Sequence, residues 1–212
     1  MIHIQPGQVG IDEVGRGAWA GPMVAAAVSF PLKPAIPRNI PIRDSKLLTA
    51  NARMRAFDFI CKNAFYIVID VGPLDIDRFG VHSAHKNLIA ACVSNFIDKY
   101  EIHRKYSKMK MLRADDLLFY IDGTPMVDLP IKHIYQPHGD YTHKIISCAS
   151  IVAKVCRDAY MKRMSQIYQN YGFERHAGYG TQIHQNALVA HGPCNIHRMS
   201  YRPLKKVIHR VC

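Results

Sequence analysis

"VGIDEVGRG", residues 9–17, sets a short apolar run ahead of two adjacent carboxylates and then turns through two glycines that flank an arginine. With the residue before it, the run reads as a buried strand, "QVGID", that ends on Asp12 beside Glu13, since short apolar segments bounded by turn residues are strand-like. Turn chemistry does not require two consecutive acids after such a strand. "LLFYID" repeats the device and closes on Asp122 immediately before Gly123. If the two strands are neighbours, their acids converge, and like charges gathered in a partly buried place need a proton or a cation between them.

Working outward, "MVAAAVSF", "AFYIVIDV" and "IKHIYQ" bring the predicted strands to five. The first two strands follow each other closely enough for a hairpin, whereas the later ones alternate with helical patterns, as parallel crossovers require. Thr49 is placed to cap a helix carrying Met54, Phe57 and Cys61, and residues 81–100 put Leu88, Cys92, Phe96 and Tyr100 on one face. After Asp140 the spacing of Ile145, Cys148, Ala149, Val152, Cys156 and Ala159 predicts a long helix, with Ser147, Ser150, Lys154 and Arg157 toward its other side. The fold class is α/β: a mixed five-stranded sheet flanked by helices. Residues 1–165 form the core and 166–212 a helical extension packed against it, the two making one functional unit.

A chain of 212 residues, about half of them apolar, is long enough to bury a sizeable core. Its 28 Lys and Arg against 16 Asp and Glu leave a net charge of +12, which favours a polyanionic partner. The cysteines, at 61, 92, 148, 156, 194 and 212, show neither a CxxC pair nor disulfide-scaffold spacing, which points to a reducing, cytoplasmic setting. Cys194 and His197 are spaced like half of a zinc site without a second half. "MIHIQPGQ" lacks the pattern of a secretory leader, and the uncharged stretches near it are too short to span a bilayer. A soluble monomer with no membrane partner is the expectation.

Asp140, in "PHGDY", follows Asp122 by one strand and a turn and can close the acidic site from the side. Mg²⁺ and Mn²⁺ take hard oxygen ligands of this kind, and a pair of such ions assists both the attacking and the leaving oxygen in phosphodiester cleavage. A basic protein that retains an acidic cluster has the charge pattern of a metal-dependent nuclease.

Seven blocks, "GIDEVGRGAWAGPMVAAAV", "RDSKLL", "YID", "HGD", "SCASIVAKVCRD", "YGFERHAGYGT" and "HRMSY", resemble those of the type 2 ribonucleases H in order and approximate spacing, over nearly the whole chain. The resemblance implies a ribonuclease H-like fold. It also implies an endonuclease that hydrolyses the RNA strand of RNA/DNA hybrids, cuts 5′ to ribonucleotides embedded in duplex DNA, and leaves 3′-hydroxyl and 5′-phosphate ends with Mg²⁺ or Mn²⁺ as cofactor. The family's four acids fall on Asp12, Glu13, Asp122 and Asp140, the first three as metal ligands. Its substrate-reading turn falls on Gly15, Arg16 and Gly17, and its sugar-stacking tyrosine on Tyr179. Lys46 and Lys154, the latter with Ser147 and Ser150 on a polar stripe, are candidate phosphate contacts. Where the family commonly carries lysine, this chain has Leu47, His138 and Ala177. The remaining histidines, among them His176, His184, His191 and His197, read as locally hydrogen-bonded rather than catalytic.

Two other readings stand beside this one. A metal-independent ribonuclease would use some of the twelve histidines with lysine as acid and base. A noncatalytic RNA-binding module would lack the acids, which repel its ligand, and would carry stacking motifs that are absent from the sequence.

Overall fold

The computed structural model describes residues 4–108 and 111–208; Cys212 lies outside them. A five-stranded sheet in the order β3-β2-β1-β4-β5 is built from β1 (Gln8–Val14), β2 (Met23–Ser29), β3 (Phe65–Val71), β4 (Leu118–Asp122) and β5 (His133–Gln136). The first hairpin is antiparallel, with Asp12 opposite Ala26 and Glu13 opposite Ala25, and β3 continues antiparallel on β2. β4 joins β1 in parallel and β5 joins β4 in parallel. The step from β4 to β5 contains no helix: residues 123–132 make the crossover as a loop. Every residue of β2 is buried, as its uninterrupted apolar and alanine run requires of a strand covered on both faces.

Helices α1 (Ala50–Asn63), α2 (Pro73–Phe79), α3 (Val81–Tyr106), α4 (Gly139–Thr142) and α5 (Lys144–Ile167) surround the sheet, followed by α6 (Phe173–His176), α7 (Gln182–His191) and α8 (Arg202–Ile208). Thr49 caps α1 as predicted, accepting the Ala52 amide. The buried face of α1, however, is Ala56 and Ile60, while Met54 is exposed and Phe57 and Cys61 are only partly covered. α3 buries Leu88, Cys92, Phe96 and Tyr100 against one face of the sheet and runs on to Tyr106.

α5 and α1 cover the opposite face. α5 lies so close to β1 that a Cβ on Gly10 would stand 2.1 Å from the Ile145 carbonyl oxygen, so only glycine fits there. Ser147, Ser150 and Arg157, expected on an outer polar side of α5, are instead buried, because the helix is sandwiched between the sheet, α1 and the C-terminal elements. A third cluster joins Ala20 and Met161 to Tyr171, Phe173, Leu188 and Leu204, which packs the C-terminal segment onto the turn after β1.

Candidate active site

Alternation along β1 sends Asp12 and Glu13 to opposite faces of the sheet. The strand does not end at Asp12, as the sequence reading has it; pairing of Glu13 with Ala25 and Val14 with Val24 carries it two residues further. Asp12 is 4% exposed on the α5 side, and its Oδ1 accepts the Glu13 amide at 2.7 Å. Asp122, at the end of β4, stands in the next register after the Ile11–Ile121 pair and so beside Asp12. Its Oδ1 accepts the Gly139 amide at 2.6 Å. Asp140 occupies the first turn of α4, behind His138 at φ 54°, and the Ser147 hydroxyl donates to its carbonyl oxygen at 2.8 Å.

One carboxylate oxygen from each of Asp12, Asp122 and Asp140 lies within 4.8 Å of the other two. Two ionised carboxylates at that separation repel by roughly 3 to 4 kcal/mol in an effective dielectric of about 20. Burial, followed by the charges of Glu13 and Asp122, holds the Asp12 carboxyl well above the usual range, against the hydrogen bond from Ser150. Burial and then Asp140 raise Asp122, opposed by the Gly139 amide. An all-oxygen donor set whose members resist ionising together fits a hard divalent cation. Glu13 stands apart from the trio: its Oε2 lies 3.2 Å from Nε2 of His85, on the α3 side of β1.

The cations predicted around the acids are disposed differently from one another. Lys46 follows Asp44, whose side chain caps the short helical turn at residues 45–47; its Nζ is 3.4 Å from Asp140 and the side chain is 70% exposed. Burial pulls the Lys46 ammonium down, but Asp140, Asp44 and Asp12 outweigh it and leave the group raised. Lys154 is paired with Asp158 at 2.7 Å, beside a groove of about 480 Å³ also lined by Arg53, His176 and Tyr179. Ser147 and Ser150 do not form the predicted outward stripe with Lys154. Ser147 fastens α4 to α5, and the Ser150 hydroxyl meets that of Ser45 at 2.9 Å.

The turn at Gly15, Arg16 and Gly17 departs from expectation in one respect. Gly15 has φ 90°, and a Cβ there would stand 2.2 Å from Nε of Arg157; its bareness admits that guanidinium, whereas Gly17 has open space around it. Arg157 is fully buried and donates to the carbonyls of Pro22, Ala20 and Ala177 at 2.9, 3.1 and 2.9 Å. Its Cζ also lies 5.5 Å from the ring centroid of Tyr179. Burial lowers it to about 10, so it stays cationic at neutral pH. Arg198 donates to Gly21 and Arg16 carbonyls, and Tyr201 adds a second donor to Arg16. Neither arginine was singled out from the sequence as an organiser of this turn. The one signal for Arg157 is its place on the Ala153, Arg157, Met161 ridge of α5, all of it buried.

Of the four C-terminal histidines expected to be locally bonded, His176, His184 and His197 are, whereas His191 is exposed and, among the described residues, meets only the Tyr171 ring. His176 meets the Tyr171 carbonyl at 2.8 Å, His184 meets the Tyr179 carbonyl at 3.0 Å, and His184 and His197 meet through Nε2 at 2.9 Å. Two of the three positions that lack lysine, His138 and Ala177, adopt left-handed backbone, and Leu47 is exposed.

The family model described as Ribonuclease HII matches residues 9–203. Ribonuclease HII of Thermus thermophilus is 37% identical over 196 residues, spanning 92% of this chain and 86% of that protein. Its namesake from Herpetosiphon aurantiacus is 40% identical over 201 residues, spanning 92% and 88%. Among solved structures, the PCNA:RNase HII complex of Archaeoglobus fulgidus superposes with a TM-score of 0.69 at 20% identity, covering 92% of this chain and 95% of that one. Bst-RNase HIII in complex with Mn²⁺ gives 0.67 at 16% identity, covering 98% and 71%. These two share the fold.

Proposed function

The chain belongs to the ribonuclease HII family, and from that premise we propose how its residues divide the work of an endoribonuclease that acts on RNA/DNA hybrids. Asp12, Asp122 and Asp140 hold divalent cations, with Glu13 contributing from the other side of β1. The observation that carries this reading is the convergence of three carboxylates, two of them buried, within 4.8 Å. Mg²⁺ or Mn²⁺ bound there supplies Lewis acidity to the attacked phosphodiester. In the hydrolysis itself a water oxygen bonds to phosphorus as the bond to the 3′-oxygen breaks and that oxygen takes a proton, giving 3′-hydroxyl and 5′-phosphate ends.

Lys46, exposed and only loosely held by Asp140, swings to a backbone phosphate, and Lys154 contacts the strand from the groove it shares with Tyr179. The turn of Gly15, Arg16 and Gly17 presents backbone groups to the 2′-hydroxyl, the one group by which a protein tells RNA from DNA at a given nucleotide. Tyr179 stacks on the sugar of the following deoxynucleotide, which extends the activity to single ribonucleotides within DNA. Residues 1–165 and 166–212 act as one unit, and the enzyme works as a monomer. A cytoplasmic setting is supported by five free cysteines among the described residues. No helix among those residues is long and apolar enough to cross a membrane.

The deciding experiment is cleavage of a DNA duplex that carries one ribonucleotide, with products mapped to the nucleotide. A cut on its 5′ side that disappears with chelator and returns with Mg²⁺ or Mn²⁺ is the expected result; chelator-resistant cleavage would exclude the metal reading.

A further inference from the structure

His85 lies in the first turns of α3 and is 2% exposed, among Ala84, Leu88 and Ile89 of the apolar core beneath the sheet. Among the described residues neither ring nitrogen has a hydrogen-bond partner of normal geometry, and the charged group that faces it is Oε2 of Glu13, 3.2 Å from Nε2. A buried imidazole with no partner is costly, and an apolar side chain of similar volume would fill the same space without that cost. The contact with Glu13 therefore accounts for a histidine here.

We propose that His85 is a positioning residue for Glu13: its Nε2, 3.2 Å from Oε2, holds the carboxylate through that polar contact and leaves Oε1 as the oxygen available to a divalent cation. This rests on the reading of Glu13 as a metal ligand. Groups that orient a ligating side chain set its geometry as firmly as packing does, and their loss typically weakens metal binding by about 10 to 100-fold. Glu13 is close enough to the trio for its charge to be felt at both Asp12 and Asp122, so its orientation bears on the whole site.

The test is calorimetric titration of the full chain with Mn²⁺ alone, in the absence of nucleic acid. His85→Leu, which removes the donor at similar volume, is expected to weaken Mn²⁺ binding by about tenfold or more, whereas His85→Gln, which restores an N–H at comparable reach, stays within about threefold of the parent. In a Glu13→Gln background, His85→Leu is expected to add no further loss. If Glu13→Gln weakens binding but His85→Leu does not, His85 has no positioning role and the proposal falls while the ligand reading survives. Equal losses for His85→Leu and His85→Gln would assign the residue to packing and likewise overturn it. An unchanged affinity in Glu13→Gln would overturn the ligand reading first and the proposal with it. Should His85→Leu fail to fold by circular dichroism, His85→Met, also without a donor, takes its place.

Discussion

Asp122 accepts the backbone amide of Gly139 through Oδ1 at 2.6 Å, so the acid that closes β4 also fixes the residue immediately before Asp140. An asparagine at 122 keeps an oxygen for that amide and loses only the charge. Asp122→Asn and Asp12→Asn are therefore expected to lower cleavage of an RNA/DNA hybrid by at least about a hundredfold while the circular dichroism spectrum stays unchanged. Asp140→Asn, at the acid whose charge is already partly met by Lys46, should lose less. Rates near the parent's for either of the first two, at saturating Mg²⁺, would remove them from the site.

The same acids strain the metal-free protein. Asp12 has its folded pKa raised by burial and by neighbouring carboxylates, so the unfolded chain ionises it more readily, and stability falls as pH climbs from the unfolded value through the folded one. At neutral pH, Asp12→Asn is thus expected to melt at the same or a higher temperature than the parent without metal. Saturating Mn²⁺ should raise the parent's Tm, since a ligand that binds only the folded state stabilises it, and should raise the variant's far less. Thermal melts with and without Mn²⁺ measure both effects.

Tyr179→Ala is expected to impair cutting at a lone embedded ribonucleotide more than cutting of a long hybrid, because only the former always presents an RNA-to-DNA junction to the ring. Stacking contributes roughly 1 to 3 kcal/mol, a loss of about fivefold to a hundredfold if it is realised in the transition state. The comparison is kcat/KM on the two substrates at one salt concentration, since binding by so basic a chain is salt-dependent. Equal losses would make Tyr179 a general binding or packing residue.

Beneath Tyr179 the hydrogen bonds have a direction. The Cys194 amide donates to Nδ1 of His197 at 2.8 Å, which leaves the proton of that ring on Nε2 to reach Nε2 of His184 at 2.9 Å. His184 then donates from Nδ1 to the Tyr179 carbonyl at 3.0 Å. A second proton on either ring breaks the chain, and burial pushes both histidines down to about 4. Their contribution is complete above the unfolded pKa near 6.5 and is lost as pH falls toward 4. Proton NMR of the two rings should show no titration between about pH 8 and pH 5; midpoints near the ordinary histidine value of about 6.5 would refute the assignment.

Strand positions were legible in the sequence because apolar runs bounded by turn residues mark strands, and the approach of Asp12 and Asp122 followed from taking their two strands as neighbours, with Asp140 closing the site from the side. The end of β1 was not legible: Glu13 and Val14 are held in the strand by pairing with Ala25 and Val24, a tertiary preference that overrides the low strand propensity of adjacent acids. Nor was the role of Ser147, Ser150 and Arg157, since helical periodicity assumes one wet face and α5 is covered on several sides. His85 gave no signal at all. A single polar residue in a helical pattern acquires meaning only when the fold delivers its partner.

Arg157 on α5 and Arg198 beyond α7 both reach back to the turn between β1 and β2, and together they grip the carbonyls of Arg16, Ala20, Gly21, Pro22 and Ala177. Ala20, Gly21 and Pro22 are buried residues, where a carbonyl left without a donor is costly. The turn between β1 and β2 is thus secured in two steps, by Arg157 of α5 and then by Arg198. A nascent chain that has released α5 has Arg157 in hand for Ala20 and Pro22 but still lacks the Arg198 donors to Gly21 and Arg16, and recombination that exchanged the C-terminal segment for another would have to replace them.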